Sequence, residues 1–133
     1  MKFIVANRDQ MKHYRCEKQH LIISIKDPNT EDAQIAQRDN CVGILYLAFH
    51  DLDRAYKDYK LFSKKDAKEI LDFVTNPLIK VDVIICQCEA GISRSAGVAG
   101  ALSKIFNKDD TEIFKNYLPN MLVYRTIMEE YIK

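Results

Sequence analysis

The sequence predicts an α/β domain with a central, mainly parallel sheet of four to five strands and helices on both faces. Three observations predict it. Four short runs rich in Ile, Val, Leu and Phe, at 3–5, 21–25, 43–49 and 81–87, have the length and composition of strands buried on both faces. Helical periods follow the third and fourth runs. The fourth run also leads directly into a Gly-containing turn and a stretch of small residues. That is how open α/β sheets deliver ligand-binding groups to the carboxyl ends of their strands.

Taken in order, the second run is stopped by Asp27-Pro28-Asn29. Ser63 with Asp66 three residues later resembles a capping box, and Ala67, Ile70, Leu71 and Val74 share one face of the helix that follows. Asn76-Pro77 ends it. From Ser95 to Phe106 the chain carries Ala96, Gly97, Ala99, Gly100 and Ala101, small enough for close approach of a helix to the sheet. Two further helices are expected. One starts at Asp109-Asp110-Thr111 with Ile113, Phe114, Tyr117 and Leu118 on one side; the other follows Asn120 as N-cap with Val123, Tyr124, Ile127 and Tyr131 on one side. No repeat, low-complexity tract or linker interrupts residues 1–133, which read as a single domain.

Composition narrows the classes. At 133 residues with 47% apolar content, the chain is long enough to close a core. Twenty basic residues against nineteen acidic give a net charge of +1, so no whole-molecule attraction to nucleic acid or anionic membrane is expected. The longest apolar stretch, 41–49, is far short of a bilayer span, and no apolar signal core opens the sequence. The four cysteines, at 16, 41, 86 and 88, lack paired CxxC spacing, which disfavours a zinc site or a disulfide framework. The expectation is a cytoplasmic monomer with reduced thiols, no metal and no cofactor.

The chemistry concentrates in Cys88-Glu89-Ala90-Gly91-Ile92-Ser93-Arg94-Ser95. A phosphoryl group carries close to two negative charges, so it needs fixed positive charge and several N–H donors aimed at one point. A turn of amides feeding a helix N-terminus supplies both. Residues Glu89, Ala90, Gly91, Ile92, Ser93 and Arg94 can form that turn, with Gly91 tolerating a positive φ. Arg94 can grip two oxygens in a bidentate way that Lys cannot reproduce. Cys88 lies in the same field, which favours its thiolate and makes it a nucleophile, and the Ser95 hydroxyl can reach the sulfur. Gly at +3, Arg at +6 and Ser or Thr at +7 arise by chance roughly four times in ten thousand per Cys, so coincidence is a poor account.

The string CEAGISRSAGVAGAL resembles the CxxGxxR[ST] signature of the cysteine-dependent protein tyrosine phosphatases, and most resembles the small dual-specificity-like members of bacteria and phages. The likeness extends over roughly residues 43–133, through the segment 45–51 and the closing 119–125. It implies a tyrosine phosphatase-like fold and a two-step reaction on a phosphorylated protein or peptide. Cys88 attacks phosphorus, an Asp protonates the leaving oxygen, and water hydrolyses the phosphocysteine. Arg94 and the amides of 89–94 bind phosphate, and Ser95 assists the second step. The family usually has His before the nucleophile; Gln87 stands there in this chain, which predicts a less acidic thiol than in relatives with His.

By position the resemblance makes Asp51 the general acid, with Asp53 the rival, in a turn where Asp is common on structural grounds alone. His50 reads as a strand-end structural residue, and His13 and His20 are too isolated to suggest ligands. Cys86 could resolve an oxidised Cys88 but reads first as a small buried hydrophobe. Arg54, Lys57 and Lys60 with Tyr56 and Tyr59 form a basic, aromatic stretch that suits a phosphopeptide or an ordinary solvated loop, and Arg125 suits a polar helix face. With no Lys or extra Arg inside the loop, and with Glu89 at its mouth, a single phosphomonoester fits better than a polyphosphorylated inositide. Phosphotyrosine is the expected substrate, with phosphoserine and phosphothreonine alongside it. Two other classes compete: a sulfurtransferase or arsenate reductase built on the same thiolate loop, and a non-catalytic phosphopeptide-binding module.

Overall fold

The computed structural model describes residues 1–36 and 39–133. Four strands form one sheet, β1 (Lys2–Ala6), β2 (His20–Lys26), β3 (Cys41–Ala48) and β4 (Val83–Gln87), in the order β1-β4-β2-β3 with every neighbouring pair parallel. The two central strands, β2 and β4, are buried along almost their whole length, which is why their sequences are continuous apolar runs and not alternating ones.

Alternation along the strands sorts side chains into two cores. Leu21, Ile23 and Ile25 of β2 and Ile84 and Cys86 of β4 face a large core, which Cys88 joins just past the end of β4. This core is closed by α2 (Lys64–Val74), α3 (Arg94–Asn107), α4 (Thr111–Asn116) and α5 (Met121–Tyr131). Ile22, Val83 and Ile85 face a smaller core with Ala6, Met11 and Cys16. Its cover is α1 (Arg8–Met11) together with irregular chain that includes Tyr14 and Ile35. Helices therefore lie on both faces, but among the described residues the second face carries a single four-residue helix, held by a capping box between Asn7 and Gln10.

The capping expected at Ser63 is present: its hydroxyl accepts from the Asp66 N–H and the Asp66 carboxylate accepts from the Ser63 N–H. Asn120 caps α5 by accepting from the N–H groups of Leu122 and Val123. Two expectations about helix faces do not hold. α4 runs for only six residues, too short to present four side chains to one core, so Ile113 is buried while Leu118 lies beyond the helix at 76% exposure. Tyr131, at the last helical turn of α5, is exposed, lining a groove with Lys68, Leu71 and Asp72 of α2.

The small residues of α3 serve a purpose other than the expected one at two positions. A Cβ on Gly97 would sit 2.7 Å from the Asn120 carbonyl oxygen and 2.9 Å from Val123 Cβ. A Cβ on Gly100 would meet Ile113 and Tyr124. Both glycines face α4 and α5 rather than the sheet, but only Gly97 leaves no room for a Cβ, and it brings the start of α5 within contact of the first turn of α3. Among the described residues no helix is long and apolar enough to cross a membrane.

Candidate active site

The carboxyl end of β4 delivers Cys88, whose N–H donates to the Ala6 carbonyl of β1 at 3.2 Å. The chain then turns through 89–93 into α3. Gly91 makes this turn with φ +67°, and a Cβ there would lie 2.7 Å from the Asn7 nitrogen and 2.8 Å from the Ala6 carbonyl carbon. Glycine is required twice over, for the left-handed backbone and for the close approach to β1.

The peptide groups of this loop are sorted by direction. Three of its five carbonyls accept from the surrounding protein: Glu89 from the Arg8 N–H, Ile92 from the Leu118 N–H, and Ser93 from the N–H groups of Gly97 and Asn120. The N–H groups of 89–93 donate to no protein acceptor among the described residues. Outward carbonyls and uncommitted amides at the start of a fourteen-residue helix are what an oxyanion requires.

Cys88 is 2% exposed, and its Sγ lies 3.1 Å from the Ser95 Oγ. Arg94 enters from the first turn of α3. Its Nη1 donates to Asp27 Oδ1 and to the Phe49 carbonyl, both at 2.7 Å, and its Nε is buried with no hydrogen-bond partner among the described residues. A buried, unpartnered guanidinium N–H is costly unless an acceptor completes it, and a tetrahedral oxyanion in the loop would do so. Asp27, at the end of β2, and the carbonyl of Phe49, just past β3, fix one edge of the guanidinium and leave the other for a ligand.

Asp51 follows β3, and its Oδ1 accepts from the Ser93 hydroxyl at 2.8 Å and from Asn120 Nδ2 at 2.9 Å. This carboxylate is therefore attached to the loop that carries Cys88. Asp53 is not. It forms an ion pair with Arg54 at 3.0 Å, and the hydrogen bond and charge of Arg54 hold its carboxyl below the usual carboxylate range. A cleft of about 310 Å³ opens between Asp51, Asp53, Ser93, Pro119 and Met121.

The remaining residues singled out in the sequence fall into place. Gln87 points to the opposite face of the sheet from Cys88, accepts from Ser24 Oγ, and donates to the Cys88 carbonyl. Burial, with Cys88 adding to it, pushes the Cys86 thiol well above its ordinary range. His50 accepts from the Lys60 N–H and stacks on Tyr59 with ring centroids 4.6 Å apart, pinning the ends of the 51–59 loop together. Tyr56 packs on Tyr59, with the Lys57 ammonium over the Tyr56 ring. His20 is buried and bonded to the Lys18 carbonyl, His13 is exposed, and Arg125 lies on the exposed side of α5. Glu89 does not stand alone at the loop mouth: Arg8 Nε donates to it at 2.8 Å, so its charge is balanced from α1.

Sequence reasoning missed the roles of Asp27, Arg8 and the side-chain amide of Asn120. Asp27 read as a strand stop and Asn120 as a cap. Nothing local pointed to their partners, which lie 67 and 69 residues away.

No family model matches this sequence, and no curated protein matches it. Among solved structures the chain is similar to the human tyrosine phosphatase-like serine/threonine/tyrosine-interacting protein, with 17% identity, a TM-score of 0.56, and coverage of 85% of this chain and 76% of that one. The likeness is one of fold: the chain has a tyrosine phosphatase-like α/β architecture.

Proposed function

We propose that this chain is a cysteine-dependent phosphomonoester hydrolase of the small dual-specificity-like type, acting through a phosphocysteine intermediate. The observation that carries the reading is the buried Cys88 thiol, bonded to Ser95, at the start of a loop whose amides are uncommitted and which leads to Arg94, whose buried Nε has no partner among the described residues.

The geometry supports the following chemistry. The Cys88 thiolate attacks phosphorus, the S–P bond forms, and the P–O bond to the substrate breaks. Asp51 gives its proton to the departing oxygen. Arg94 and the amides of 89–94 take up the charge on the equatorial oxygens. Water, deprotonated by the Asp51 carboxylate, then attacks phosphorus, and the electron pair of the S–P bond returns to sulfur. The Ser95 hydroxyl, 3.1 Å away, steadies the departing thiolate. Asp51 is favoured over Asp53 because its carboxylate is bonded to Ser93 of the loop that carries Cys88, whereas Asp53 is paired with Arg54.

The substrate is read as a single phosphomonoester on a protein, phosphotyrosine first and phosphoserine or phosphothreonine alongside it. The part of the charge argument that rested on Glu89 is weakened by its pairing with Arg8. What supports the reading is that the loop interior holds no cation besides Arg94. On this reading the enzyme works in the cytoplasm as a monomer without metal or cofactor.

The test is hydrolysis of para-nitrophenyl phosphate and of a phosphotyrosine peptide by the wild type and by Cys88→Ser, with a chelator present. Turnover that vanishes in Cys88→Ser and is blocked by vanadate is expected. A folded wild type that binds the phosphopeptide without turning it over would overturn hydrolysis in favour of a phosphopeptide-binding module.

A further inference from the structure

Asn120 joins three parts of the site. Its backbone N–H donates to the Ser93 carbonyl of the phosphate loop at 2.9 Å. Its side-chain Oδ1 accepts from the Leu122 and Val123 N–H groups at the start of α5. Its Nδ2 donates to Asp51 Oδ1 at 2.9 Å and to the Leu52 carbonyl at 3.1 Å. The side chain is nearly enclosed, the residue being 7% exposed, and Gly97 gives the Asn120 backbone the room it occupies.

The two ends of the amide are not interchangeable. The helix start requires an acceptor, which fixes the oxygen toward Leu122 and Val123 and turns the NH₂ toward Asp51. An NH₂ group only donates. Asp51 Oδ1 is therefore held as an acceptor, and a proton on this carboxyl group must sit on Oδ2. The second donor to Oδ1, the Ser93 hydroxyl at 2.8 Å, belongs to the loop that carries Cys88, so the same contacts set the distance between acid and nucleophile.

We propose that Asn120 is the positioning residue for the general acid: it selects Oδ2 of Asp51 as the proton-bearing oxygen and ties the acid loop to the phosphate loop. The proposal rests on the hydrolase reading given above. Aligning a carboxyl group and a leaving oxygen is where a small displacement costs rate, and the cost falls on substrates whose leaving group needs the proton.

The experiment compares wild type, Cys88→Ser, Asp51→Asn, Asn120→Ser and the Asp51→Asn/Asn120→Ser double variant on phenyl phosphate and para-nitrophenyl phosphate. Serine retains an N-cap acceptor but is too short to reach Asp51. A general acid contributes about 10²- to 10⁴-fold, so Asn120→Ser is expected to lose about tenfold in kcat/KM on phenyl phosphate and less than about threefold on para-nitrophenyl phosphate. It is expected to add nothing further to Asp51→Asn. Equal slowing of both substrates, or a loss that multiplies with that of Asp51→Asn, would overturn the positioning role while leaving the hydrolase reading intact. Absence of Cys88-dependent turnover of either substrate by the wild type would overturn both. Should Asn120→Ser not fold, Asn120→Asp keeps the cap and puts an acceptor against Asp51, and the same leaving-group dependence is expected of it.

Discussion

Replacing Gly91 by alanine tests the link between loop conformation and stability at one atom. The backbone there has φ +67°, which costs alanine about 1–2 kcal/mol relative to glycine. The added Cβ would stand 2.7 Å from the Asn7 nitrogen, 2.8 Å from the Ala6 carbon and 3.0 Å from the Ala6 oxygen. Non-bonded contacts of this kind are comfortable near about 3.5 Å, so relief needs a shift of roughly 0.7 Å against backbone that is itself paired with β4. Overpacking on that scale costs about 1–3 kcal/mol. The sum, about 2–5 kcal/mol, is a large part of the roughly 5–15 kcal/mol that holds a domain folded. Equilibrium urea unfolding followed by far-UV circular dichroism measures it, with Gly100→Ala as internal control. A Cβ at Gly100 meets its nearest neighbour, Ile113 Cγ2, at 3.4 Å in mid-helix, so that change is expected to stabilise by about 0.5–1 kcal/mol. Opposite signs for the two glycines are the expected result. A Gly91→Ala protein within about 0.5 kcal/mol of wild type would refute the reasoning, because neither the left-handed backbone nor the approach to β1 could then be carrying strain.

Two further outcomes follow from titratable groups. Burial first, then the hydrogen bond and charge of Asp110, push Tyr124 up to about 12 from 10.0. A phenol raised in the folded state contributes stability that is fully present below pH 10 and is lost as pH climbs toward about 12. The stability gap between wild type and Tyr124→Phe should therefore narrow over that window, as urea midpoints at pH 8, 10 and 12 would show; a constant gap would count against it. Cys86 is enclosed and its thiol is pushed up by burial, so in Cys88→Ser protein the peptide carrying Cys86 should stay unalkylated by iodoacetamide at pH 8 until urea unfolds the chain. Peptide mapping that finds native modification there would contradict this.

What could be read from the sequence was whatever local pattern alone decides. β2 and β4 announced themselves because burial on both faces leaves an uninterrupted apolar run. The turn from Cys88 to Arg94 was legible because glycine three residues after Cys88 and a run of small residues after Arg94 leave few other conformations. The Ser63 box and the Asn120 cap were legible because both partners lie within three residues. α1 escaped because four residues make too little of a period, and only Asn7 with Gln10 marked it. The reach of α4 was overstated because Leu118 continued an apolar spacing that the helix itself does not continue. Asp27 at Arg94 and Arg8 at Glu89 are contacts across 67 and 81 residues, created by the order β1-β4-β2-β3, which no local signal encodes.

On the proposed function, the sorting of peptide groups in the 89–93 loop separates what shapes the cradle from what meets the substrate. Shape is imposed from behind, by Arg8, Leu118, Asn120 and the wall of β1. Ala90 and Ile92 are exposed, and neither side chain holds the loop in place. The rim is thus interchangeable while the anion receptor stays constant. If the proposed function holds, diversification by drift or by design can rewrite which phosphorylated surfaces are admitted, one exposed side chain at a time, and leave the reaction machinery untouched.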